Sequence, residues 1–388
     1  MKVAIVCDWL TNVGGAEKVL LRVHKLYPEA PIYTSKYDPA KIDWFKDADV
    51  RTGWLQKFPT CLRRFLGPFR QRYFSHLDLS EYDLIISVTG AEAKSVKSGR
   101  WLYAHGKKQV KNPQGLHISY CHVPTQYYWQ MYDDYVNNPG FGVLNPLVRF
   151  FFRLMVRPLR RADFKAAQRV DEFITISGYA KEQISQYYKR EATIIHPPVE
   201  LKDFSGKKGS LKKAFPAGTY YITTSRQVNW KRLDLAVKAC LMTQRHLLVI
   251  GEGPEHKKLV KLAQGSGLVK FLPVMGKKQL AAYLAGAKGY IFPSLEPFGI
   301  APVEALAAGC PVIAFSEGGV RDYVVDGKNG FLFGEQTAKS LAEAILKFEK
   351  LKFKREKIPK SVSSFDEQRF DKELKDFIKK CEKKRVKK

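Results

Sequence analysis

Two carboxylates, Glu296 and Glu304, stand eight positions apart in Phe292-Pro293-Ser294-Leu295-Glu296-Pro297-Phe298-Gly299-Ile300-Ala301-Pro302-Val303-Glu304-Ala305. A loop glycine and a proline separate them. Pro302 suits the first turn of a helix, where its missing N–H would be unpaired anyway. Ala305 to Ala308 favour helix and Gly309 ends it. This order predicts Glu304 in the first helical turn and Glu296 on the loop that feeds it. A helix start at Ile300 and Ala301 offers unpaired N–H groups and a positive dipole end, which suit a diphosphate. Carboxylates would repel an anion they touched, so their part is to accept hydrogen bonds from sugar and ribose hydroxyls beside it. The plain alternative is a capped helix carrying surface acids.

The spacing Glu-x7-Glu, set within Pro-Ser-x-Glu-Pro-Phe-Gly-x-x-x-x-Glu-Ala, resembles the signature of the family 4 retaining glycosyltransferases. Further segments carry the same resemblance over nearly the whole chain. Ser225-Arg226-Gln227-Val228-Asn229-Trp230-Lys231-Arg232 is similar to the stretch in which an arginine and a lysine grip the donor diphosphate, a role that falls to Arg226 and Lys231. Two fixed cations there would offset the charge that develops on a departing nucleoside diphosphate. Serine stands where the family usually has its first glycine.

Asn12-Val13-Gly14-Gly15-Ala16-Glu17 resembles the Gly-Gly-Ala-Glu loop, which implies contact of Gly14 and Gly15 with donor phosphate or acceptor. Tyr120-Cys121-His122-Val123-Pro124 resembles the Cys-His-Thr-Pro segment of bacterial O-antigen and capsule mannosyltransferases, with Val123 where Thr is frequent. The resemblance implies that His122 bears on the donor sugar from the first lobe. It also implies that Val274, in Leu272-Pro273-Val274-Met275-Gly276, lies where the nucleobase is held, and that Phe298 and Gly299 shape the donor pocket. Outside a motif, a lone histidine or a Gly-Gly pair is ordinarily structural.

The implied reaction is front-face transfer with retention, by a hexosyltransferase that needs neither metal nor cofactor. The implied donor is a GDP- or UDP-sugar, with mannose favoured by the Cys-His segment, and the implied acceptor a glycan or a lipid-diphosphate-linked glycan of cell-surface polysaccharide. Three other classes compete: a non-catalytic nucleotide-sugar binder, an epimerase of the same fold, and a nucleic-acid-binding protein. The last would account for charge alone, since no recognition motif is present.

Elements that position these residues follow an alternation of strand and helix. Apolar runs at Val3–Cys7, Leu84–Val88, His117–Tyr120, Phe173–Ile176, Tyr220–Thr224, His246–Ile250, Val269–Leu272, Gly289–Phe292 and Pro311–Phe315 read as buried parallel strands. The expected fold is α/β of the GT-B type, two Rossmann-like, doubly wound domains facing across a cleft. Expected boundaries are 1–198 for the acceptor-side domain and 199–365 for the nucleotide-sugar domain. Residues 366–388 are expected as a helix returning to the first domain plus a basic tail.

The 388 residues carry a net charge of +28, from 66 basic against 38 acidic side chains, which calls for an anionic partner. Six scattered cysteines fit neither a disulfide framework nor a zinc site and read as buried thiols in a cytosol. The apolar start halts at Asp8, too early for a signal peptide, and no apolar run is long enough to span a bilayer. A cytoplasmic protein, peripheral at the inner face of the plasma membrane, is therefore expected. Arg149, Arg153 and Arg157 recur every four residues and, with Arg160 and Arg161, suggest a basic helix meeting an anionic membrane or acceptor. Pro158 is expected to kink or end that helix. Arg63-Arg64 and Arg70-Arg72, interspersed with aromatics, would extend the surface; a helix burying its aromatics is the bland alternative.

Overall fold

The apolar runs become strands of two parallel sheets in a computed structural model that describes residues 1–60, 66–107, 109–137, 142–204 and 215–386. The chain forms two units, one built from Met1–Pro197 with the segment from Phe370 onward, the other from Pro198–Arg369.

The first unit contains β1 (Val3–Cys7), α1 (Gly15–Leu26), β2 (Ile32–Thr34), β3 (Val50–Thr52), α2 (Gly67–His76), β4 (Leu84–Thr89) and α3 (Gly99–Ala104). It continues with β5 (Leu116–Cys121), α4 (Tyr132–Asn137), α5 (Asn145–Ala167), β6 (Glu172–Thr175), α6 (Gly178–Tyr188) and β7 (Thr193–Ile194). The strands order as β3-β2-β1-β4-β5-β6-β7. β1 lies parallel to both β2 and β4, with Ile5 opposite Ile32 and Ile86. Every residue of β4 and β5 is buried, the polar Ser87, Thr89, His117 and Ser119 included.

The second unit contains β8 (Tyr220–Thr224), α7 (Leu233–Met242), β9 (His246–Ile250), α8 (His256–Ala263), β10 (Val269–Leu272) and α9 (Lys277–Gly286). β11 (Gly289–Phe292), α10 (Ile300–Ala307), β12 (Val312–Phe315), β13 (Gly330–Phe333) and α11 (Ala338–Phe348) complete it. Its order is β10-β9-β8-β11-β12-β13, all parallel. In both sheets the strand order reverses direction once, between β1 and β4 and between β8 and β11. Such a switch point leaves an open crevice at the carboxyl ends of its two strands.

The final helix, α12 (Glu367–Val386), buries Phe370, Leu374, Ile378 and Cys381 at helical spacing. The Arg22 guanidinium bonds Asp371, Phe370 packs its ring 5.9 Å from Tyr120, and Lys384 lies 3.9 Å from Glu172. This helix therefore belongs to the first unit.

Several expectations need correction. The sequence does not announce β2, β3 or β13; β2 and β3 are only three residues long. α5 neither ends nor breaks at Pro158 but continues to Ala167. Pro158 lies on the exposed side, where water can replace the backbone bond it removes. Arg70 is no surface cation: it is 3% exposed, and its Nε lies 2.8 Å from Glu92. Arg63 and Arg64 lie outside the described residues. Cys7, Cys121, Cys240, Cys310 and Cys381 are free and buried.

Candidate functional site

The switch point of the second unit carries the predicted donor residues. After β8 the chain passes through Ser225 to Val228, then a single 3₁₀ turn at Asn229–Lys231, before α7. After β11 it runs through Pro293 to Gly299 into α10. Lys231 Nζ bonds Glu296 Oε1, so an ion pair links the loops after the two strands that flank the switch point. Ser294 Oγ donates to the same carboxylate oxygen at 2.9 Å. Glu304 lies nearby: both it and Glu296 act electrostatically on the Tyr290 phenol. Burial, more than either carboxylate, drives that phenol above its ordinary pKa.

The Glu296 loop is held in one shape. Its carbonyl accepts from the Gly319 N–H at 2.8 Å. A Cβ on Gly318, at φ +91°, would lie 2.4 Å from that carbonyl oxygen, so only glycine fits under the loop. Tyr323 Oη donates to the carbonyls of Phe298 and Gly299 at 2.7 and 2.9 Å. Buried Phe298 packs 5.4 Å from the Tyr323 ring and 5.7 Å from Phe365. Gly299 then turns at φ +84° to cap α10, leaving the first N–H groups of Ile300 and Ala301 without helical partners. Because α10 begins at Ile300, Glu304 is its fifth residue, just past the first turn in which the sequence suggested it.

The loop after β8 is equally fixed, by a residue that sequence reasoning missed. Buried Gln227 donates from Nε2 to the Gly251 carbonyl at 2.5 Å, and its Oε1 meets His256 Nδ1 at 2.8 Å. Gly251 and Gly253, at φ +128° and +156°, approach Ser225 and Gln227 so closely that a Cβ would fall 2.1 and 2.4 Å from their carbonyl oxygens. Against this platform Arg226 stands exposed. Its guanidinium lies 5.7 Å from the Trp230 ring centroid and makes no hydrogen bond or ion pair among the described residues. Val274 is 73% exposed in the loop after β10.

The remaining predicted residues belong to the first unit. Gly14, with an extended backbone, caps α1, and Gly15 is its first residue, on the loop after β1. His122 follows β5. Its backbone N–H bonds the Thr89 carbonyl at 2.8 Å, and its ring meets Tyr120 at 5.5 Å. Burial pulls its pKa down to about 4, and its buried Nε2 has no partner among the described residues. The imidazole is therefore neutral near pH 7.

Beneath His122 lies a buried polar frame, also unforeseen. Asp8 accepts from Thr89 Oγ1 and from the N–H groups of Gly90, Ala91 and Ala93 at 2.8 to 3.1 Å. Lys94 and Asp163, both unexposed, pair at 2.6 Å. Asp163 also accepts from Thr125, Trp129 and Tyr188. Burial opposes the charged Lys94, yet Asp163 and its neighbours hold its pKa above the ordinary lysine value. Two of the predicted arginines are tied to this frame or beside it. Arg160 donates to the Tyr128 carbonyl and sits 4.8 Å over the Tyr132 ring, while Arg149 donates to the Asn137 carbonyl at 2.6 Å. Arg153, Arg157 and Arg161 are exposed.

Residues 212–363 match the family model described as Glycosyl transferases group 1. Over 383 residues the chain is 24% identical to the Alpha-1,3/1,6-mannosyltransferase ALG2 of Mus musculus, covering 87% of this chain and 85% of that protein. An uncharacterized glycosyltransferase of Methanocaldococcus jannaschii is 28% identical over 180 residues, 45% of this chain. The chain spans about half the length of that curated relative, 49%. Among solved structures, HepE of Anabaena in complex with UDP is similar, with a TM-score of 0.70 at 18% identity, covering 98% of this chain and 100% of that one.

Proposed function

From the match of residues 212–363 to the glycosyl transferases group 1 model and the GT-B fold, we propose that the chain is a retaining, metal-independent hexosyltransferase using a nucleotide-sugar donor. The acceptor is a hydroxyl of a glycan or lipid-linked glycan in cell-surface polysaccharide synthesis. Mannose from GDP-mannose is the favoured donor, in keeping with the name of the mouse relative, and a UDP-sugar is the second choice.

One observation carries this reading: the Lys231–Glu296 pair spans the switch point beside exposed Arg226 and the uncapped start of α10. Positive groups and N–H donors there match a diphosphate, and the adjoining carboxylates match sugar and ribose hydroxyls. During transfer, the acceptor oxygen forms its bond to the anomeric carbon as the bond to the diphosphate oxygen breaks on the same face. The acceptor proton passes to the departing phosphate. Arg226, Lys231 and the N–H groups of Ile300 and Ala301 stabilise the charge arriving on that phosphate. Glu296 and Glu304 orient the sugar and ribose, and Phe298 with Gly299 shapes the turn between them. Val274 lies beside the base, and Gly14 and Gly15 allow close backbone approach to a phosphate or acceptor. His122, neutral and with a free ring nitrogen, is assigned to the donor sugar.

A panel of GDP- and UDP-sugars, assayed for hydrolysis without acceptor, tests the proposal. One donor should be turned over well above the rest, equally in chelator. Arg226→Ala should lower the rate about 10²–10³-fold, the scale for losing one donor to developing negative charge. No turnover of any nucleotide sugar, or full activity in Arg226→Ala, would reject it. Nucleotide-sugar binding without turnover in the wild type would favour a non-catalytic binder.

A further inference from the structure

Helix α5 presents an apolar face that nothing among the described residues covers. Val156, Leu159, Asp163, Ala166 and Ala167 form its buried side. On the opposite side, Leu147, Phe150, Phe151 and Leu154 fall within an arc of about 100°, at 3.6 residues per turn. Phe150 and Leu154 are each 63% exposed, so these side chains project into solvent instead of packing on the sheet. The same outward direction turns basic one turn later, with exposed Arg157, Arg161 and Lys165, and exposed Arg153 flanks the apolar patch. No helix among the described residues is long and apolar enough to cross a membrane.

We propose that this face of α5 docks on a bilayer surface rich in anionic headgroups. Phe150, Phe151 and Leu154 enter the boundary between headgroups and acyl chains, and Arg153, Arg157, Arg161 and Lys165 meet lipid phosphates. An isolated apolar patch rimmed by cations has this complementarity. A second copy does not: it would cover the apolar patch but offer the flanking arginines no anionic partner. Nucleic acid would satisfy the arginines but leave Leu147 and Leu154 without an apolar partner. The chain's charge of +28 adds long-range attraction to the same surface. This inference rests on the first unit alone and stands apart from the donor reading.

Cosedimentation of the full chain with vesicles tests it, using phosphatidylglycerol mixed with phosphatidylcholine against phosphatidylcholine alone at low salt. The protein should partition to the anionic vesicles at least about tenfold more strongly, since four basic side chains would lie near the charged surface together. Phe150→Ser/Leu154→Ser and Arg157→Glu/Arg161→Glu should each reduce that partitioning about tenfold or more. All four side chains are exposed, so unfolding midpoints should match the wild type; the Phe150/Leu154 variant should also keep lipid-free donor hydrolysis. Wild-type protein left in the supernatant overturns the proposal. Equal binding to both vesicle types, or full binding by both variants, does so as well. A wild-type dimer that these substitutions dissociate, without lipid binding, would assign the face to a second copy instead.

Discussion

Replacing Glu296 by glutamine should uncouple nucleotide affinity from transfer. In the structure the Glu296 carboxylate holds Lys231, and both side chains are about one-fifth exposed, at 20% and 22%. Exposed ion pairs contribute about 0–1 kcal/mol, and breaking fully buried ones costs about 3–5 kcal/mol. A pair this sheltered falls between, at about 1–2 kcal/mol. A diphosphate that draws on Lys231 must overcome that attraction. Glutamine keeps the shape and removes the competing charge, so GDP or UDP alone should bind roughly 5–30-fold more tightly, at 1.4 kcal/mol per tenfold. The intact donor loses a charge-assisted bond to a sugar hydroxyl, worth about 1.5–3 kcal/mol, and gains nothing overall. Transfer should fall by about 10²–10³. Calorimetric titration with each nucleotide and with the preferred donor, beside initial rates, gives all three quantities. If the glutamine variant binds GDP and UDP no more tightly than wild type at an unchanged unfolding midpoint, Lys231 is not drawn to phosphate and the reasoning fails. Transfer at the wild-type rate would refute the role of the carboxylate.

Gly318→Ala forces a Cβ to 2.4 Å from the Glu296 carbonyl at φ +91°; it should cost at least about 1–2 kcal/mol in urea unfolding and slow transfer, and an unaltered rate would show that the loop does not need this support. Asp163→Ala leaves Lys94 charged and unpaired in the first unit, with an expected loss of about 3–5 kcal/mol by the same measurement; a loss below 1 kcal/mol would mean that Lys94 finds another partner. Burial holds His117 at about 3 and His122 at about 4, below their ordinary value near 6.5. The unfolded chain therefore binds more protons in between, so stability is complete above pH 6.5 and falls as pH drops toward 4 and then 3. Urea midpoints from pH 7.5 to 4.5 should decline, less steeply in His122→Gln; a flat profile would contradict the burial.

What could be read from sequence was set by how local its physical cause is. β8, β9 and β11 have the limits that their apolar runs suggest, because a strand covered on both faces needs little but apolar residues. β3 resisted reading because its three residues include exposed Arg51 and Thr52. Glu296, Arg226 and Lys231 were legible as a motif, and the loop and helix start around them follow from Gly299 and Pro302. The bond between Lys231 and Glu296 was not legible. It joins residues 65 apart and exists only because β11 lies beside β8 in the sheet, an order no local pattern encodes. Gln227 and Tyr323 were hidden for the same reason: each matters through a carbonyl on a distant loop. The arginines of α5 show how a local pattern misleads. Four residues exceed one turn of 3.6, so a series at every fourth position rotates by about 40° per step. Arg149 is accordingly turned toward the body of the unit, where it meets a backbone carbonyl, while Arg157 and Arg161 face outward. The sequence stripe is thus a spiral, and its outward portion, adjoining Phe150 and Leu154, is where charge and apolar surface coincide.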